Sequence, residues 1–152
     1  MNRIHYRDID VDENYNYFFH GEPFSGIRYQ TFPEGGISYE QTMRLGVADG
    51  PTRFWRRDGS LLCERSYKMG REHGLTKVWS PKGRLRWQTE YELGIQTARK
   101  WWNRAGQAMN ESSIDPDDPK FAELQKRRSQ EDHRVQQMEA TLRKARFTPL
   151  EE

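Results

Sequence analysis

Asp8, Asp10 and Asp12 alternate near the N-terminus, the spacing with which carboxylates open a calcium-binding loop. Such a loop also needs glycine at its sixth position and a bidentate glutamate at its twelfth, where this chain has Glu13 and Phe19. The three aspartates therefore read as an acidic arm suited to a basic partner surface. His5, His20, His73 and His133 show no paired spacing, and the single cysteine, Cys63, cannot complete a thiolate zinc site. There is no nucleophile elbow and no glycine loop shaped for phosphates. These residues give no expectation of an enzyme, a metal or a cofactor.

The other arrangement that could recognise a ligand lies in the middle of the chain. Residues 47–107 carry 13 basic and 6 acidic side chains, interleaved with Phe54, Trp55, Trp79, Trp87, Trp101 and Trp102. Cations among stacking rings suit a single-stranded nucleic acid or an anionic membrane surface. The net charge is only +2, however, and both ends of the chain are mildly acidic. The spacing described next also assigns several of these rings to a core. Nucleic acid and membrane therefore rank behind a protein partner.

Those residues are held by a repeat. Gly46, Gly70 and Gly94 follow one another at 24-residue steps, and so do Gly26, Gly50 and Gly74. Ile37, Leu61 and Leu85 keep the step, as do Tyr39, Cys63 and Trp87, which makes Cys63 a core residue. Within one unit, Pro51 to Arg57 reads as a strand, Asp58-Gly59 as a tight turn and Ser60 to Tyr67 as the returning strand. Arg71-Glu72-His73 reads as a loop leading to the next hairpin. Three clear hairpins are expected, flanked by degenerate copies around Tyr15 to Gly26 and after Gly94. Gln41, Arg65 and Thr89 form a polar column within an apolar strand face, which calls for cross-strand partners or an opening to ligand.

A composition of 34 % hydrophobic and 32 % charged residues favours an elongated array that buries one face per unit over a deep core. Asn110 to Pro119 reads as a linker. Asp118 then caps a glycine-free run rich in helix formers, with an apolar stripe of Phe121, Leu124, Val135, Met138, Leu142 and Ala145. Arg128 and Glu131 interrupt that stripe. This narrow face could pack on the repeats, which is the preferred reading, pair with another copy or dock a partner; alone the helix is only partly stable in water.

The pattern Gly46/Gly50 and Gly70/Gly74, with Trp55 and Trp79 five residues on, resembles MORN repeats. Turn glycines Gly59 and Gly83, followed by Leu61/Tyr67 and Leu85/Tyr91, complete the motif. More closely it resembles the bacterial MORN-variant repeats of antitoxin and immunity proteins, over residues 15–109. The resemblance implies a mainly β fold: an array of antiparallel β-hairpin repeats of period 24 forming an elongated curved sheet, with a C-terminal α-helix. The expected divisions are an acidic N-terminal arm at 1–14, repeats at 15–109, a linker at 110–119, a helix at 120–146 and a tail at 147–152. The implied role is neutralisation of a cognate bacterial toxin by stoichiometric binding, with a MORN-type scaffold bridging proteins or an anionic membrane as the alternative. Candidate contact residues are Arg65, Trp101, Tyr29 and Arg86 with the arm residues Asp8, Asp10 and Asp12. The lack of an apolar leader and of internal disulfide partners points to the cytoplasm. Oligomeric state stays open.

Overall fold

Short runs of alternating apolar and polar residues, each closed by a glycine-containing turn, dictate a protein of hairpins. The computed structural model describes residues 1–151. Its elements are β1 (Arg3–His5), a 3-10 turn (Tyr6–Asp8), β2 (Asp10–Val11), β3 (Tyr17–Phe19), β4 (Glu22–Pro23), β5 (Gly26–Thr31), β6 (Ile37–Arg44) and β7 (Val47–Trp55). They continue as β8 (Leu61–Lys68), β9 (Arg71–Glu72), β10 (Gly74–Trp79), β11 (Leu85–Glu92), β12 (Ile95–Trp102), β13 (Ala108–Ser113) and α1 (Pro119–Lys144). The fold is mainly β. A ten-stranded mixed sheet runs β1-β5-β6-β7-β8-β10-β11-β12-β13, with β9 paired to β8, and β2-β3-β4 form a second small sheet.

Four segments differ in detail from the sequence reading, the fourth being Arg71-Glu72. Residues 3–5 of the acidic arm form β1, which pairs in parallel with β5. Tyr15 to Gly26 supplies β3 and β4 of the small sheet instead of a further hairpin of the large one. The start of the expected linker is β13, whose polar residues are all exposed because it is an edge strand held by β12 on one side. Glu152, the last residue of the expected tail, lies outside the described residues.

Arg71-Glu72, read as loop, folds back as β9 against Tyr67 and Lys68. The reversal is the two-residue turn Met69-Gly70, with φ of 42° and 85°. Positive φ at both central residues is what a type I′ hairpin turn demands. Leu45-Gly46 and Leu93-Gly94 share it, with φ of 50° and 85°, and 50° and 83°. A leucine or methionine in this region is strained by roughly 1–2 kcal/mol. Burial offsets the strain, since Met69 is 2 % exposed and Leu93 3 %.

Each turn is also tied to the chain that precedes it. The amides of Gly46, Gly70 and Gly94 donate to the carbonyls of Phe24, Ala48 and Glu72 at 2.7–2.8 Å. The neighbouring amides of Leu45, Met69 and Leu93 donate to Ser25 Oγ, Asp49 Oδ1 and His73 Nδ1 at 2.9, 3.0 and 3.0 Å. Chemically unlike side chains thus do one job, which apolar periodicity does not reveal.

α1 lies along this row of turns. Asp118 caps it by accepting from the Lys120 amide, and Pro119 occupies the first turn. Arg127 Nη1 donates to the Leu93 carbonyl at 2.7 Å and Arg134 Nη1 to the Met69 carbonyl at 3.1 Å. Glu139 pairs with Arg44 at 2.7 Å. Leu124, fully buried, packs with Leu93 and Ile95. Beyond the helix, Phe147 donates its amide to the Gly21 carbonyl and stacks on Phe18 of the small sheet.

Glu131, which breaks the apolar stripe, is only 6 % exposed and faces Arg134 at 2.8 Å, Arg71 at 3.6 Å and Lys68 at 4.0 Å. The hydrogen bonds from Arg134 hold its carboxyl below the ordinary glutamate value, against the opposing effect of burial. A depressed native pKa adds stability above pH 4.5, the ordinary value, and that stability is lost as pH falls through the native pKa. Glu131→Gln should cost roughly 2–3 kcal/mol at neutral pH. Its stability should also vary less with acid than the parent's, as urea melts at neutral and acid pH would show.

Two glycines test the turns. A Cβ at Gly46 would sit 2.8 Å from the Tyr17 carbonyl oxygen, while one at Gly59 would meet nothing within 4 Å. Gly59→Ala should cost about 1 kcal/mol of backbone strain. Gly46→Ala should cost at least twice as much; equal losses in denaturant titrations would contradict the packing described.

Candidate partner-binding face

Successive residues of a strand point to opposite faces, so the register sorts the whole sheet into two surfaces. One row reads Gln30, Tyr39, Phe54, Cys63, Val78, Trp87 and Trp101, each paired with the next across the strands. Two residues along, on the same face, runs a polar row. Arg28, Gln41, Thr52 and Arg65 are paired in turn, as are Thr76, Thr89 and Arg99. The opposite face carries Tyr29, Glu40, Arg53, Glu64, Lys77, Gln88, Lys100 and Glu111, also in register.

The second face largely neutralises itself. Arg53 bonds Glu64 at 2.7 Å and reaches Glu40 at 3.5 Å, while Lys100 pairs with Glu111 at 3.2 Å. The first face does not. Its arginines Arg28, Arg65 and Arg99 lie on β5, β8 and β12, three strands apart in each case, or about 14 Å. Each stands over aromatic rings. Arg28 is 4.4 Å from the Tyr17 centroid and 5.1 Å from Tyr39, Arg65 is 6.0 Å from Phe54, and Arg99 is 4.6 Å from Trp87. Trp87 and Trp101 stack at 5.4 Å with an 18° interplanar angle.

The polar column is therefore only partly satisfied. Arg28 Nη2 donates to Gln41 Oε1 at 3.1 Å and to the Tyr39 hydroxyl at 3.0 Å. Burial pushes the Tyr39 phenol up, with the Arg28 charge opposing, so the ring remains a neutral acceptor. Arg28 Nε and Thr52 Oγ1 are buried without a hydrogen-bond partner. Arg65 is exposed, with Glu72 at 3.7 Å as its ion-pair partner. Beside Arg28 a groove of about 450 Å³ opens between the sheet and the Asn14–Tyr17 segment, bordered by Tyr15, Tyr39 and Gln41. Rings and guanidinium groups held in this way are rigid anchors of the kind that dominate protein interfaces.

The structure brings together two of the sequence candidates, Arg65 and Trp101, on this face. Tyr29 and Arg86 belong to the other. Tyr29 meets His5 edge-on at 5.3 Å and lies under Arg3, while Arg86 Nε donates to the Trp102 carbonyl at 2.9 Å. Asp8 is exposed in the 3-10 turn and Asp10 lies in β2. Asp12 closes a local turn, accepting from the amides of Asn14 and Asn16 and from Asn16 Nδ2. Burial opposes its ionisation, but the Asn16 and Asn14 hydrogen bonds outweigh it and hold the carboxyl below the usual aspartate range. Sequence reasoning missed Arg28 and Tyr17. Arg28 stands one 24-residue step before Thr52 and so was open to the same column count.

The site thus defines a mainly β protein that presents one arginine-and-aromatic sheet face. No protein-family model and no curated protein matches the chain. Among the described residues no helix is long and apolar enough to cross a membrane.

The indole stack gives a direct check of this face. Trp101→Phe should abolish the tryptophan exciton couplet in circular dichroism and cost about 1 kcal/mol. Trp55→Phe should leave the couplet in place.

Proposed function

We propose that the chain is an array of 24-residue MORN-type hairpins acting as an antitoxin or immunity protein, which neutralises a bacterial toxin by binding it one to one. The observation that carries this reading is the face with Arg28, Arg65 and Arg99 over aromatic rings. Three cations on a ring-lined surface complement an acidic protein patch, and the central row of the opposite face largely cancels its own charge. α1 occupies the turn ends and leaves that face to a partner. On this reading the toxin docks across the strands, places carboxylates on the three guanidinium groups and buries apolar surface on Phe54, Trp87 and Trp101. Inhibition follows from covering the toxin's active site or blocking its closure. No chemistry by the chain is needed.

The test is survival of a host that expresses the product of the adjacent reading frame, with and without this chain. Rescue and a one-to-one complex on co-purification are expected. Toxicity that the chain does not relieve overturns the pairing. In the complex, Arg65→Glu with Arg99→Glu should weaken binding about 100-fold, or roughly 2.7 kcal/mol, with little change in thermal stability. Charge reversal at Lys77 on the other face should change affinity far less.

A further inference from the structure

A second site lies on the opposite face, where the two last hairpins of the sheet turn. The turns at Ser80–Arg84 and Asn103–Gln107 enclose a cleft of about 420 Å³ lined by Ser80, Pro81, Lys82, Arg84, Arg86 and Arg104. That volume falls within the usual range of small-molecule sites, about 300–1,000 Å³. Four of its six lining residues are cationic, and none of these four makes an ion pair among the described residues. On the same face Arg53 and Lys100, by contrast, each pair with a glutamate.

The cations are also positioned. Arg86 uses Nε on the Trp102 carbonyl at 2.9 Å, which leaves both terminal nitrogens of its guanidinium free. Arg84 gives Nη1 to the Arg104 carbonyl at 3.3 Å, which ties one turn to the other. The Ser80 hydroxyl accepts from the Arg84 amide at 3.2 Å, and the Gly83 amide donates to the Ser80 carbonyl at 2.9 Å, which closes the first turn. Crowding like charges into one cleft is unfavourable unless something neutralises them.

We propose that this cleft binds a soluble phosphate ester carrying at least two adjacent phosphoryl groups. Charge density decides the class. A carboxylate brings one negative charge, whereas a terminal phosphoryl group brings about 1.5 to 2 and offers three acceptor oxygens to guanidinium forks, and an adjacent phosphoryl group adds at least one more charge. The extent of the positive field decides the size. Beyond the cleft the face returns to the neutralised pairs around Glu64 and Glu111, so a compact anion fits and a long polyanion or a membrane surface does not. The site is independent of the aromatic face.

Titration calorimetry of the full chain with pyrophosphate tests it, with citrate as a polycarboxylate control and anionic phospholipid vesicles as a separate arm. One-to-one binding of pyrophosphate is expected, weakening with salt and about ten-fold tighter than citrate. Arg86→Ala should reduce affinity about ten-fold. Since Arg86 also supports Trp102, Lys82→Ala with Arg104→Ala, both exposed, provides a variant that keeps the fold and should lose affinity similarly. Absent binding, equal binding of citrate, or affinity unchanged in the Lys82/Arg104 variant overturns the proposal. So does binding confined to vesicles. The neutralisation assay reads the other face, so failure there and failure here are distinguishable.

Discussion

Everything in this molecule rests on the burial of turns that are locally unfavourable. Leu45, Met69 and Leu93 take a backbone conformation that favours glycine, and no residue-level preference explains them. They are tolerated because the following glycine completes a two-residue reversal, a side chain from the preceding segment accepts the strained residue's amide and, at Met69 and Leu93, α1 covers the carbonyl. Without the helix, Leu93 would lose its packing against Leu124 and the carbonyls of Met69 and Leu93 their guanidinium donors. The helix in turn carries a charge, Glu131, that is stable in a buried position only against the basic residues near these turns.

Two geometric steps meet at this seam. Arg127 and Arg134 are seven residues apart, about 10.5 Å of helix. The carbonyls they bind, those of Leu93 and Met69, lie 24 residues apart in sequence but only two strands apart in the sheet, about 9.6 Å. The near match lets one straight helix hold successive turns with the same side-chain type. At the next turn the position seven residues further is Thr141, too short to reach, and the contact passes to Glu139 and Arg44. The fastening to the small sheet is made by Phe147 beyond the helix.

The division of the sheet into two unlike faces follows from the same register. Because paired residues lie side by side across the strands, side chains at paired positions of successive strands become continuous rows. The charged row cancels itself through glutamate–arginine and glutamate–lysine neighbours. The other combines rings with guanidinium groups and leaves polar atoms of Arg28 and Thr52 unpartnered.

Much of this was legible beforehand. Alternation and Asp58-Gly59 gave the β7–β8 hairpin, and Asp118-Pro119 with its glycine-free run gave the helix, because turn chemistry, capping and hydrophobic spacing act over a few residues. The polar column through Gln41, Arg65 and Thr89 could be counted from the sequence. Met69-Gly70 could not be read as a sharp reversal, since nothing local favours methionine there; burial under α1 makes it affordable. The polar edge strand β13 looked like a linker because its only support is β12. Local composition thus determined the long central strands, the helix and which residue types recur at one spacing, but not β9 or β13. Tertiary structure alone decided which face each row occupies, which turns the helix covers and which cations stay unpaired, because those outcomes depend on register and on contacts between residues distant in the chain.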